Sequence, residues 1–165
     1  MRNEEIIIPQ PDEISSAEKD DAMGAYLMMF AAWAVGLPLP ILNLIAAVIY
    51  FYANKKTSRF VAFHALQSLL SQIPVTLTNV SLIAWLISIL ITGNEFSSGF
   101  IILLTITVCS NILYLIISIA ALVRAKKGNF LYFPLFGRLA FGRYFGPNAI
   151  SLATSVKENR PPEGY

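Results

Sequence analysis

His64 is the sole histidine of this chain and Cys109 its sole cysteine. Neither has the company that acid–base or metal chemistry requires. No aspartate or glutamate occurs between Asp21 and Glu95, so no carboxylate near it in sequence can orient His64, and a metal site needs three or four ligands. The sequence holds no Walker loop, dinucleotide fingerprint, nucleophile elbow or His-Glu-x-x-His pair. The reading is a non-enzymatic chain with no catalytic residue, no cofactor and no metal.

What His64 does have is a row of polar neighbours. His64, Gln67 or Ser68, Ser71 or Gln72, Thr76 and Asn79 advance by three or four and share one helical face. Thr107, Asn111, Tyr114 and Ser118 repeat the rhythm further along. If the two stretches pair as an antiparallel hairpin about a loop centred near residue 95, Asn79 comes level with Asn111 or Ile112. Gln72 then comes level with Ser118 or Ile119. Interhelical hydrogen bonds of this kind contribute roughly 0.6–2 kcal/mol each. Two readings stay open: polar glue inside the fold, or a polar groove facing a substrate or partner.

The elements that must position this stripe are apolar. The chain is 56% hydrophobic and only 13% charged, about half the charge of an ordinary soluble domain, with a mean hydropathy of +0.62. That deficit of solubilising side chains reads as an all-α integral membrane protein. Residues 1–21 form an acidic segment with two prolines, expected as a flexible arm. It does not read as a signal peptide, so the first span would serve as the insertion signal. Residues 22–127 form a membrane domain of three transmembrane helices. The first, residues 22–53, is broken near Pro38 and Pro40, with Asn43 placed to meet a freed carbonyl and Tyr50 and Tyr52 at head-group level. The second, from Thr57 to Ile91, is too long for a bilayer unless its first half lies obliquely or it bends at Pro74. The third, Phe100 to Val123, ends at Arg124, Lys126 and Lys127, with Gly128 as a C-cap. Cys109 falls in this apolar run and reads as a small buried hydrophobe.

Residues 128–147 carry Arg138 and Arg143 among aromatics and glycines. Two arginines make crossing costly, so this reads as an interfacial amphipathic segment. Residues 148–165 read as a loose polar tail. Ten of the twelve basic residues lie beyond position 54. Lys55, Lys56, Arg59, Arg124, Lys126, Lys127, Arg138 and Arg143 form the membrane-surface basic set, and beside spanning helices they mark a cytoplasmic face, not nucleic acid. Three crossings put the N-terminus outside and the C-terminus in the cytoplasm; a re-entrant first element would put both inside. Partners are then the lipid bilayer and other membrane proteins or a second copy, with no nucleic acid, in a bacterial cytoplasmic (inner) membrane.

The run RFVAFHALQ, with Arg59, Phe60, Val61, Phe63, His64 and Gln67, followed by Gly128 and Pro134, resembles the bacterial relatives of the Tic-twenty membrane subunit of the chloroplast inner-envelope import machinery. The resemblance covers roughly residues 23 to 136. It implies an accessory or scaffold subunit of a membrane complex, linked to protein translocation or insertion. The polar stripe His64, Gln67, Ser68, Ser71, Gln72, Thr76, Asn79, Asn111 and Ser118 would then bind the partner. The alternative is a small-solute channel or permease formed by self-association along that stripe.

Overall fold

The computed structural model describes residues 6–31, 40–146, 149–150 and 159–162. Five α-helices make up the described chain: α1 Ser16–Leu27, α2 Pro40–Asn54, α3 Arg59–Thr92, α4 Ser98–Lys126 and α5 Phe136–Tyr144. A 3-10 turn, Met28–Phe30, extends α1. Ile6–Ile7 and Ala149–Ile150 pair in parallel over two residues.

Local sequence explains where the helices begin and stop. Ser15 caps α1 and Glu18 reaches back to the Ser15 amide, a reciprocal capping box that satisfies two otherwise orphaned donors. Proline stands first in α2, where its missing donor costs nothing. Ser58 and Ser97 cap α3 and α4 by accepting from Val61 and Phe100. Past the end of α4, Gly128 takes φ 81°, as the C-cap expectation required.

Two helices are long and apolar enough to cross a bilayer. At 34 and 29 residues they measure about 51 and 44 Å, and they pack together as a hairpin. Their outer halves leave large apolar side chains bare: Leu77 is 62%, Leu90 72% and Ile102 60% exposed. Water would penalise that surface heavily, whereas lipid does not. The chain is a membrane protein.

The third crossing is not borne out. The first apolar stretch divides between α1 and α2, and α2 has 15 residues, about 22 Å against a hydrocarbon core of about 30 Å. Asp20 on α1 forms an ion pair with Lys126 at the end of α4, while Tyr26, further along α1, meets His64 inside α3. α1 therefore descends from the basic end of the hairpin. α2 runs back to that end, since Asn54 is followed by the short link into α3. The Tyr50 hydroxyl ties the two arms by donating to the Asp21 carbonyl at 2.7 Å. A Cβ on Gly24 would collide with that hydroxyl, so glycine is what lets α1 and α2 approach this closely. The start of α1 and the end of α2 thus both lie at the basic end of the long hairpin. The proposed break near Pro38 falls on residues outside those described.

The core lies at the basic end, built by Tyr26, Phe60, Phe63, Phe130, Phe141 and Phe145 with small Ala121, Ala125 and Ala140 between them. The acidic segment, expected as a loose arm, sends Ile8 and Ile14 into this core. The tail also returns to it: Asn159 is 1% exposed and bonds the carbonyls of Pro9 and Gly128 at 2.9 Å each. Apolar burial and satisfied amides outweigh the polar composition of both segments. Cys109, expected buried, is exposed on the apolar outer surface of α4.

Candidate functional site: the buried polar seam

Amphipathic spacing brings the stripe of α3 inward. His64, Gln67, Ser68, Ser71, Gln72 and Thr76 are all buried, as are Thr107 and Ser118 on α4. In a low-dielectric interior such groups are costly unless bonded, so their partners reveal what the seam does.

At the basic end the partners come from this chain's other elements. His64 Nδ1 lies 2.9 Å from the Tyr26 hydroxyl. The imidazole is ringed by Phe60, Phe63 and Phe130, with centroids at 4.5, 5.0 and 5.7 Å. Gln67 Nε2 donates to the Tyr26 hydroxyl and to the Leu131 carbonyl, both at 2.8 Å. Its Oε1 accepts from the Phe133 amide at 3.1 Å. One amide therefore uses both its donors and its acceptor to hold α1 and the irregular 131–133 segment against α3. Gly137 permits this closeness, because a Cβ there would lie 2.9 Å from Gln67 Oε1 and 2.8 Å from Tyr132 Cα. Ser68 donates to the Ala25 carbonyl at 2.7 Å.

Deeper in the seam, bonding thins out. Ser71 donates back to the Ser68 carbonyl at 2.8 Å, and Gln72 Nε2 reaches the Ser68 hydroxyl only at 3.5 Å. Tyr114 sits among Ser68, Ser71, Gln72 and Ser118. Among the described residues, His64 Nε2, Gln72 Oε1, Thr107 Oγ1, Tyr114 Oη and Ser118 Oγ complete no hydrogen bond. Gln72 and Ser118 thus line the same seam, as the hairpin register required, without bonding each other. Further along the seam, Asn79 and Asn111 exchange amide bonds at 3.3 and 3.2 Å. Each also donates to its own helix, to the carbonyls of Val75 and Thr107.

The basic set divides. Lys126 pairs with Asp20, and the Lys55 ammonium lies 4.1 Å from the centroid of the Tyr52 ring. Lys56, Arg59, Arg124, Lys127, Arg138 and Arg143 are exposed around the same end of the bundle. No group of three His, Cys, Asp or Glu side chains gathers among the described residues.

Several of these participants escaped the sequence reading. Tyr26 lies in a stretch whose apolar character hid its hydroxyl, and Asn159 lies in what read as a tail. The sequence separation between Asn159 and Pro9 left no local signal.

Residues 19–140 match the model of the magnetosome magnetite crystal formation protein family, MamF/MmsF. No curated protein and no solved structure matches the chain. The match overturns the resemblance to Tic-twenty-like proteins, and with it the expected role in protein translocation or insertion; nothing favours the channel or permease either. The block RFVAFHALQ is consistent with this correction, because its aromatic, histidine and glutamine side chains build a packed core. Such a motif encodes an arrangement of helices and not an activity. With the match running from α1 through both long helices into α5 and covering well over half its length, the chain belongs to the magnetosome magnetite crystal formation (MamF/MmsF) family.

Proposed function

We propose that this chain is a non-enzymatic structural component of the magnetosome membrane that takes part in magnetite crystal formation. The observation that carries this reading is the family match over residues 19–140. The seam supports a structural role: at the basic end its bonded side chains turn toward other elements of the same chain. In the proposed orientation, the basic end of the long hairpin faces the cytoplasm. The short loop between α3 and α4, with Glu95 as its one charged residue, faces the crystal.

The test is deletion of the gene in magnetosome-forming cells, with crystal dimensions measured by electron microscopy. Smaller or misshapen crystals, restored by the wild-type chain, are expected; unchanged crystals would overturn the role. Orientation is checked separately in a Cys109→Ser background carrying Lys56→Cys or Glu95→Cys. On intact isolated magnetosomes an impermeant maleimide should label the first and spare the second.

A further inference from the structure

The Gln67 amide can sit only one way round. The Phe133 N–H can only donate and the Leu131 carbonyl can only accept. Oε1 therefore faces Phe133 at 3.1 Å, and Nε2 faces Leu131 at 2.8 Å. The second Nε2 hydrogen goes to the Tyr26 hydroxyl, also at 2.8 Å. That oxygen, now an acceptor, still has its own hydrogen to place, and His64 Nδ1 lies 2.9 Å away. Tyr26, His64 and Gln67 are all buried, so bulk water supplies no alternative partner.

A neutral imidazole has two ring nitrogens and one hydrogen to share between them. A hydrogen on Nδ1 would set two donors against the Tyr26 oxygen. The phenol hydrogen would then lack an acceptor among the described residues, a costly state in the interior. A hydrogen on Nε2 instead leaves Nδ1 free to accept from Tyr26. Nε2 completes no hydrogen bond among the described residues, and Phe60 and Phe63 stand in T-shaped contact with the ring at 4.5 and 5.0 Å. Aromatic faces receive an N–H weakly and give a bare lone pair nothing. Both sides of the imidazole ask for the same tautomer.

We propose that Gln67 is a positioning residue, carrying the backbone polarity of residues 131–133 through Tyr26 to fix His64 as the neutral imidazole protonated on Nε2. A metal binds imidazole through an unprotonated ring nitrogen. Here one nitrogen holds the hydrogen and the other is engaged by Tyr26. The chain's one histidine is thereby withheld from metal ions. This relay belongs to the fold and stands whether or not the role in crystal formation does.

The single histidine makes the test direct. The full-length protein is labelled with nitrogen-15 in its imidazole, reconstituted in phosphatidylcholine vesicles and studied by solid-state NMR. Nε2 should prove bonded to hydrogen and Nδ1 not, with the Nδ1 signal moved upfield by the hydrogen bond it accepts. Tyr26→Phe should return Nδ1 downfield while Nε2 keeps its hydrogen. Gln67→Leu should move Nδ1 the same way by a smaller amount, whereas a packing role alone would leave it unmoved. A hydrogen on Nδ1 in the wild type, or an unmoved Nδ1 in either folded variant, would overturn the relay. Should circular dichroism show the variants unfolded, the wild type decides alone: the Tyr26 hydroxyl hydrogen must give a close contact to Nδ1, and its absence sinks the proposal.

Discussion

The side-chain amides of Asn79 and Asn111 face each other across the α3–α4 seam, each donating to the other's oxygen at 3.3 and 3.2 Å. In hydrocarbon neither group has water to fall back on, so the pair pins the register of the two crossing helices.

Replacing either asparagine with alanine should therefore cost about 0.6–2 kcal/mol, and the double variant less than the sum of the two. Denaturation in mixed micelles measures all four corners of the cycle. Additive losses would mean that the amides do not interact.

Gln67 joins three elements through one side chain. Gln67→Leu preserves bulk but strands the Phe133 amide and the Leu131 carbonyl, a loss of about 1–3 kcal/mol for each buried group left unpaired. Hydrogen exchange at Phe133 should accelerate more than exchange along α4. Uniform acceleration would show that the glutamine does not hold this segment in particular.

Gly24 faces the Tyr50 hydroxyl with no room for a Cβ. Gly24→Ala is expected to destabilise by about 1–3 kcal/mol through overpacking. Adding Tyr50→Phe should recover part of that loss, although Tyr50→Phe alone gives up the bond to the Asp21 carbonyl. Thermal melts of both singles and the double separate the two effects.

The Ser15 side chain, and then its backbone amide, hold the Glu18 carboxyl below its usual range by hydrogen bonding. A depressed folded-state pKa stabilises the protein above the ordinary value of 4.5, and that stability is lost as pH falls through the depressed value. Ser15→Ala should cost about 0.5–2 kcal/mol near neutrality and flatten the acid limb of the melting profile. An unchanged limb would remove Glu18 from the account of acid lability.

The Asn79–Asn111 pair and the inward stripe from His64 to Thr76 were readable because both depend on helical period and the position of one loop. The first apolar stretch was not. Composition alone does not tell a crossing helix from a descending and returning pair, and the residues that decide it are Asp20 and Tyr26, whose partners Lys126 and His64 lie far away in sequence. Ile8 and Asn159 were missed for the same reason: single side chains buried by distant segments leave no periodic trace. The Phe-His-Gln block was legible as a pattern yet pointed to the wrong family, since core packing can recur without shared activity.

Asn159 also sets the order in which the molecule can be completed. A ribosome produces Pro9 and Gln10 long before the asparagine that bonds them, a separation of 150 and 149 residues. All five described helices are therefore already synthesised when this last link becomes available. Until then the Pro9 and Gly128 carbonyls must find other partners, so maturation of the basic end follows translation instead of accompanying it.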